Sequence, residues 1–226
     1  MKQERKERMG TRRGASTSVA TRERLILEAE RLFGEHGIDG VTMRMVCDAA
    51  DQKFAGSVQY HFGDLAGLLY ALFEYREEQL QLQRKALLDE GDSQGLLSDV
   101  RYLLRILFEP NFRMYADHGI ISYIRVHAAY LATHRPRGVP HPVDRGSPAT
   151  AAMLKAMELL NVRLSALGPN LSALRLESIG GMFLHGITEY AVEPSRAALT
   201  PWEFYDDLLD MMAAAICVLP RGAARL

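Results

Sequence analysis

Apolar residues recur at helical spacing along most of the chain. Near the N-terminus they fall three or four positions apart and are followed by Gly37, which is placed to end a helix that begins near Thr21. Thr42 is suited to cap a second, short helix, and a third is predicted over residues 55–62. The apolar positions of the first helix are Leu25, Ile26, Ala29, Leu32 and Phe33. Three helices, the last two joined by a tight turn, outline a helix-turn-helix unit.

The rest of the chain also has helical periodicity. Asp64 can cap a long helix that runs to about Leu88, where the sequence "DEGDSQG" interrupts it. The stretch 135–148 is rich in Pro and Gly and predicts a long, mobile loop. Further helices are expected over residues 96–108, 119–134, 149–166, 171–191 and 201–219, with a shorter turn at 112–117. No stretch alternates apolar and polar residues as a strand does, so the predicted fold class is all-α.

Positive charge is concentrated at the N-terminus. The whole chain of 226 residues has a formal net charge of −1, which argues against a uniformly basic nucleic-acid binder. Residues 1–24, however, contain eight Lys or Arg against three Glu, a net charge of +5 that leaves −6 for the remainder. Residues 1–18 have too few apolar side chains to order themselves and are expected to form a disordered basic tail.

The cysteines and the apolar runs bear on the cellular compartment. Cys47 and Cys217 are far apart and lack metal-ligand spacing, so we expect two reduced thiols and no metal site. The charged N-terminus is unlike a secretory signal, and the longest apolar run, 211–219, is too short to cross a bilayer. These features predict a cytoplasmic protein with no membrane role and no cofactor.

The third predicted helix has a distinct polar side. On a helical wheel for residues 53–62, the apolar side holds Phe54, Ala55, Val58 and Phe62. The opposite side holds Lys53, Gly56, Ser57 and Tyr60, with Gln59 and His61 on the flanks. Such side chains bond to phosphates and to base edges in DNA-binding helices, but a solvated helix face has the same composition. The helix alone leaves both interpretations open.

The order and spacing of several motifs resemble the N-terminal domain of the tetracycline-repressor (TetR) family of transcriptional regulators. The resemblance rests on the first-helix pattern ending "LFGEHGIDGVT", on the pair Ala49-Ala50, and on "GSVQYHF" against the family's Gly-Thr-Leu-Tyr-x-His-Phe. It covers about 45 to 50 residues, and the C-terminal two thirds match only in helical organisation. The resemblance implies a helix-turn-helix DNA-binding domain over residues 19–63, followed by a larger helical ligand-binding and dimerisation domain over residues 64–226.

The chain also departs from the family pattern. The turn between the second and third helices carries one residue more than usual, and Asp51 stands in place of its glycine. Gln59 occupies the position of the family's phosphate-contacting tyrosine, with Tyr60 at the variable position beside it. Leu65 stands where the family usually has a lysine that contacts phosphate. The N-terminal residues Arg12, Arg13, Arg22 and Arg24 are candidates to compensate at the DNA backbone or minor groove, although a basic solubility extension has the same composition.

The resemblance and the wheel together predict a sequence-specific transcriptional regulator, a repressor that binds a palindromic operator in double-stranded DNA. The residues expected to face the bases are Lys53, Ser57 and Tyr60. Those expected nearer to the backbone are Thr42, Arg44, Gln59 and His61.

Two apolar stripes in the last two long helices predict a homodimer. The first stripe consists of Leu171, Leu174, Ser178, Met182 and Gly186. The second consists of Phe204, Leu208, Met211, Ala215 and Leu219. Part of both stripes has to face the subunit's own core.

The larger domain is expected to bind a small, mainly apolar effector that lowers DNA affinity, with the long fourth helix as the connection. Met adapts its shape to a ligand, and Tyr and His add polar contacts to an apolar cavity. For each residue, packing in the helical core is the alternative. The candidate lining residues are Phe108, Met114, Tyr115, Tyr123, His127, Tyr130, Met153 and Met157.

Two other classes of protein compete with this interpretation. An all-α enzyme would need clustered reactive groups, but the histidines are scattered and no set has metal-ligand or nucleophile-base spacing, so we expect no catalytic residues. A helical ligand-binding protein with a decayed DNA-binding unit is the other alternative, and Asp51 and Leu65 are the residues that favour it.

Overall fold

The computed structural model describes residues 2–54 and 56–220, apart from the side chains of residues 2–17, 196 and 197. Every regular element in these ranges is helical, which confirms the all-α class. The helices are α1 Lys2–His36, α2 Met43–Ala49, α3 Ser57–Phe62, α4 Leu65–Ser93, α5 Val100–His118, α6 Ser122–Ala129, α7 Ala151–Arg163, α8 Pro169–Val192 and α9 Pro201–Cys217. Within the described residues, no helix is long and apolar enough to cross a bilayer.

The described chain divides into two compact units. The first unit ends at Leu72 and the second begins at Phe73, so the boundary lies inside α4. The family resemblance implies a boundary before this helix, between residues 63 and 64. One helix is therefore shared by both units.

The first unit is built around α1. All five apolar positions predicted for this helix are buried, and Gly37, with φ of +75°, follows its last residue. The core also contains apolar side chains of α2, α3 and the start of α4, namely Val46, Cys47, Val58, Leu68, Leu69 and Leu72. Thr42 caps α2 as predicted, because its side chain accepts a hydrogen bond from the Met45 N–H at 3.2 Å.

The backbone of α1 begins at Lys2, whereas composition predicted a disordered tail over residues 1–18. This segment is rich in Lys and Arg, which are good helix formers. The prediction rested on the segment's few apolar side chains, but the extension of an already formed helix does not require apolar burial.

The second unit has its core around α5. This helix packs against α7 and α9, and α8 packs against α6 and α9. The sequence predicted a helix over residues 96–108 and a separate turn, but α5 is continuous through Pro110. Phe112 and Met114, on the far side of this proline, are buried, and their packing compensates for the backbone hydrogen bond that Pro110 cannot donate.

The break predicted at "DEGDSQG" comes later than expected, because α4 continues to Ser93. Gly91 lies within the helix and in contact with the ring of Tyr102. A Cβ atom on Gly91 would be 2.4 Å from Cε1 of that ring. Because Gly91 has no side chain, the ring of Tyr102 can pack directly against the helix. The helix ends only near Gly95, where φ is +70°.

The Pro- and Gly-rich stretch 135–148 folds against the second unit's part of α4. It forms short 3-10 turns, Arg135–Arg137 and Pro142–Arg145. The Ser147 hydroxyl donates to Glu74 Oε1 at 2.9 Å, and Arg135 donates to Asp144 Oδ1 at 2.7 Å. His141 and Ser147 within the stretch are buried.

Candidate functional site

The turn between α2 and α3 reverses the chain through a left-handed residue. The Gln52 N–H donates to the Cys47 carbonyl at 2.9 Å and the Asp51 N–H to the Asp48 carbonyl at 3.2 Å. These two bonds form a Schellman motif, whose left-handed position is usually glycine. Asp51 occupies it with φ of 54°, which aspartate tolerates better than most residues. The departure at Asp51 therefore leaves the reversal intact.

Helix α3 begins at Ser57, and this start corrects the helical wheel. Lys53 and Phe54 precede the helix and lie in the turn. Phe54 was placed on the apolar side, but 70% of it is exposed. Ser57 was expected to face the bases, but it is only 8% exposed and its hydroxyl donates to the Phe54 carbonyl at 2.8 Å. The helical wheel was wrong here because Lys53, Phe54 and Gly56 lie outside the helix.

Six exposed residues of this unit form what we call the α2–α3 surface: Thr42, Arg44, Lys53, Phe54, Gln59 and Tyr60. Tyr60 is 80% exposed, and its ring meets that of the half-buried His61 edge-on at 5.0 Å between centroids. Arg44 lies 3.7 Å from Asp48, with both side chains largely exposed. The sequence-based prediction did not include Phe54 among the candidate site residues. A third helix predicted to begin after Phe54 would have left this residue outside the helix.

A further cation lies beside the end of α3. The exposed Arg22 guanidinium of α1 is 5.3 Å from the ring centroid of Phe62. Burial, and then the positive charge of Arg22, lower the pKa of His61. His61 is therefore a neutral hydrogen-bonding group at neutral pH, and the positive charge at this end belongs to Arg22. The side chains of Arg12 and Arg13 lie outside the described residues.

The backbone at the start of α4 lies very close to the backbone at the end of α3. The Gly67 N–H donates to Asp64 Oδ1 at 2.8 Å, so Asp64 caps α4 as predicted. A Cβ atom on Gly67 would lie 2.0 Å from the Phe62 carbonyl oxygen. Leu65, in the first position of the helix, is partly exposed and offers no charge at this end.

The residues predicted to line a ligand cavity fall into separate parts of the second unit. Four are partly buried against the main core: Phe108, Tyr115, Met153 and Met157. Met114 is buried. The other three meet in one aromatic group with Phe73 and His141, and these are Tyr123, His127 and Tyr130. The eight residues therefore do not form one group of side chains, and their contact with a ligand stays a prediction.

Three members of this aromatic group also belong to what we call the buried polar cluster, which consists of Glu77, Arg84, Tyr123, His127 and His141. Glu77 and Arg84 are each 1% exposed and form an ion pair. The Tyr123 hydroxyl donates to Glu77 Oε1 at 3.1 Å. The rings of His127 and His141 stack at 5.4 Å between centroids, with 10° between their planes.

Sequence reasoning missed three members of the buried polar cluster. Glu77 and Arg84 interrupt an apolar stripe at spacings of four and three residues, which is the signal that could have found them. The stripe consists of Phe73, Glu77, Leu80, Arg84 and Leu87. His141 lies in the stretch that was interpreted as a mobile loop, and nothing local predicts its burial.

Both imidazoles of the buried polar cluster are neutral at pH 7. Burial lowers the pKa of His127 to about 4, with smaller contributions from the positive charges of Arg84 and Arg135. Burial lowers the pKa of His141 to about 2, with further contributions from His127 and the two arginines. In the part of the chain that the structure describes, no group of three or more His, Cys, Asp or Glu could hold a metal ion.

The two predicted dimer stripes are only partly exposed. Leu174 is 58% exposed and Met211 50%, and Ser178, Ala215 and Leu219 are exposed as well. Leu171, Met182, Gly186 and Phe204 are of intermediate exposure. Leu208 is a correction, because it is 5% exposed and packs on Gly186 within the subunit, where an added Cβ would lie 3.2 Å from it.

Together these features describe an all-helical protein with a helix-turn-helix unit and a larger second unit. No protein-family model and no curated protein sequence matches the chain. The fold is similar to the crystal structure of a protein from Mesorhizobium loti MAFF303099 that is provisionally assigned to the TetR family of transcriptional regulators. The identity is 18% and the TM-score 0.48, over 88% of this chain and 96% of that one. A likeness at this level carries no argument about function.

Proposed function

We propose that the protein is a sequence-specific DNA-binding regulator of transcription, acting as a homodimeric repressor that a small ligand releases from DNA. The α2–α3 surface is the observation that carries this proposal. It combines two cations, Arg44 and Lys53, with the exposed aromatic side chains of Phe54 and Tyr60. Aromatic side chains and arginine are enriched in binding interfaces relative to the rest of a protein's surface.

The chemistry of the α2–α3 surface suits a DNA groove. Lys and Arg neutralise phosphates and reach guanine, and glutamine pairs with adenine. The phenyl ring of Phe54 and the ring of Tyr60 can contact thymine methyl groups. Ser57 is not part of the proposed interface, because its hydroxyl is used inside the unit.

The second unit supports the dimer and ligand parts of the proposal. Leu174 and Met211 leave apolar surface exposed on α8 and α9, which a second copy of the chain would cover. The buried polar cluster supports an effector site. Helix α4 begins in the first unit and ends in the second, so it is the proposed connection. Couplings of this kind are about 1–3 kcal/mol, or roughly 5- to 150-fold in operator affinity.

The decisive experiment is selection of bound fragments from genomic DNA, followed by gel shifts on the enriched sequence. We expect a palindromic sequence to be enriched, because a two-fold symmetric dimer binds two equivalent half-sites. Absence of any enriched sequence, with the protein folded, would favour the helical ligand-binding protein with a decayed DNA-binding unit.

Substitutions Tyr60→Ala and Lys53→Ala are each expected to weaken operator binding by roughly 5- to 150-fold, because a good base contact contributes about 1–3 kcal/mol. Both side chains are exposed, so the fold should be unaffected. Gel shifts at fixed salt measure the effect. Lys155→Ala is the matched control, since Lys155 is an exposed lysine on α7 and should leave DNA affinity unchanged. Wild-type affinity in both test variants would show that α3 and its preceding turn do not read the bases.

Leu174→Arg is expected to convert the protein into a monomer at micromolar concentration. The substitution occurs twice in a symmetric interface, and a buried, unpaired arginine is costly, so we expect the dimer to weaken at least about 100-fold. Sedimentation velocity measures the change. Leu82→Arg is the control, because Leu82 is also a highly exposed leucine but lies on α4. Dimers that persist in Leu174→Arg would exclude α8 from the interface.

A further inference from the structure

We propose that the buried polar cluster binds a neutral, largely apolar molecule through a carbonyl oxygen, as in a ketone, ester, lactone or amide. This inference rests on the proposed function, since it names the chemical class of the proposed effector. It is carried by buried hydrogen-bonding atoms of Arg84, His127 and His141 that have no partner among the residues that the structure describes.

The tautomer of His141 shows that its unpartnered atom is a donor. The Nδ1 atom of His141 accepts a hydrogen bond from the Val143 N–H at 3.2 Å. A neutral imidazole that accepts at Nδ1 carries its proton on Nε2. The Nε2 atom is buried and unpartnered, so the ring presents an unused N–H inside the second unit.

Arg84 supplies a second unused donor. One terminal nitrogen of its guanidinium bonds to Glu77, whereas the buried Nε–H has no partner. The Nδ1 atom of His127 is likewise buried and unpartnered. A buried donor without an acceptor is costly, by about 1–3 kcal/mol each, so the Arg84 Nε–H and the His141 Nε2–H indicate an acceptor that comes from outside the chain.

The donors belong to one continuous group of side chains. His141 stacks on His127, whose ring lies 5.8 Å from that of Tyr123, and the Tyr123 hydroxyl bonds to Glu77, the partner of Arg84.

Charge balance selects a neutral acceptor over a carboxylate. Arg84 is already neutralised by Glu77, and Arg135 by Asp144, while both histidines are uncharged at pH 7. A carboxylate would add an uncompensated negative charge to a buried site, which is strongly unfavourable. A carbonyl oxygen accepts two hydrogen bonds and carries no charge.

The surroundings of the buried polar cluster suit an apolar body on that carbonyl group. The rings of Phe73 and Tyr130 lie 4.8 Å and 6.1 Å from that of His141. Immediately after α6 the chain forms a π-helical turn, Tyr130–His134, an irregularity that is frequent at functional sites. His127 is partly exposed, so the cluster is not sealed on every side.

Three probes of similar size test the proposal: acetophenone, which has a ketone, benzoate, which has a carboxylate, and ethylbenzene, which has neither. Binding to the full chain is measured by calorimetry, without DNA. Molecules this small bind with dissociation constants of about 1 mM. We expect acetophenone to bind about 5- to 10-fold more tightly than ethylbenzene, the effect of one or two added hydrogen bonds, and benzoate to bind most weakly.

His141→Asn identifies the donor. The shorter amide can still accept from the Val143 N–H, as His141 Nδ1 does, but it removes the Nε2–H. We expect acetophenone affinity to fall about 2- to 5-fold, part of the way toward that of ethylbenzene because the Arg84 Nε–H remains, while ethylbenzene affinity stays unchanged. The unchanged value shows that the variant is folded. His185→Asn is the control, since His185 is exposed on α8 and should alter neither affinity.

Three kinds of outcome would overturn the inference. In one, neither acetophenone nor benzoate binds at about 10 mM. In another, the three bind equally, or His141→Asn leaves the preference for the ketone intact. In the third, a crystal structure soaked with acetophenone shows only an ordered water molecule on Arg84 and His141, since water satisfies the same donors. None of these readouts uses DNA, so the inference and DNA binding fail independently.

Discussion

Replacing Arg84 with methionine is expected to destabilise the second unit by about 3–5 kcal/mol, because it leaves the Glu77 carboxylate buried without its counter-charge. Both side chains are 1% exposed, so solvent cannot take the place of the lost partner. Chemical unfolding followed by the fluorescence of Trp202 measures the effect. Trp202 is the only tryptophan of the chain and lies in the second unit, so the signal reports that unit.

The double substitution Glu77→Leu with Arg84→Met separates charge from packing. Removing both charges is expected to restore most of the lost stability, with a residual loss of about 1 kcal/mol because the Tyr123 hydroxyl loses its acceptor. Lys85→Met is the control, since Lys85 forms an exposed ion pair with Asp89 and should change stability by less than about 1 kcal/mol. If the free energy of unfolding of Arg84→Met lies within about 1 kcal/mol of the wild-type value, the Glu77–Arg84 ion pair is not buried in solution.

Replacing Gly67 with alanine is expected to destabilise the first unit by about 3 kcal/mol, the upper end of the usual range for overpacking. The added Cβ would lie 2.0 Å from the Phe62 carbonyl oxygen. A backbone atom cannot rotate away as a side chain does, so α3 and the start of α4 must move apart. Amide hydrogen exchange measures the effect as lost protection in α1, α2 and α3.

Gly40→Ala is the matched control for Gly67→Ala, because both glycines lie in the first unit. A Cβ on Gly40 would meet only the Cβ of His36, at an ordinary 3.7 Å. We expect hydrogen exchange in this variant to match wild type. Equal protection in Gly67→Ala and Gly40→Ala would show that the approach between Phe62 and Gly67 is looser than described.

Local sequence signals determined the elements whose causes are themselves local. The spacing of Leu25, Ile26 and Phe33 fixes the buried side of α1, since burial follows the 3.6-residue helical period. Thr42 and Asp64 were both correctly predicted as caps, because a cap depends only on the next three residues. The all-α class follows in the same way, from periodicity repeated along the chain.

The tertiary structure decided what depends on residues far apart in the chain. Pro110 remains inside a helix because Phe112 beyond it is buried, and no local propensity includes that packing. The start of α3 at Ser57 depends on the preceding turn, which only the folded backbone defines. As a result Phe54 is exposed and Ser57 is buried, the reverse of what the helical wheel predicted.

The buried polar cluster is the feature that the sequence alone predicts least well. Its members come from α4, α6 and the stretch 135–148, and His141 is far along the chain from Glu77. A helical period predicts that a residue is buried but not which distant group it meets. The sequence by itself therefore determined the helices and the helix-turn-helix unit, whereas the pairing of Glu77 with Arg84 and the unused donors of Arg84 and His141 became visible only when the helices were packed together.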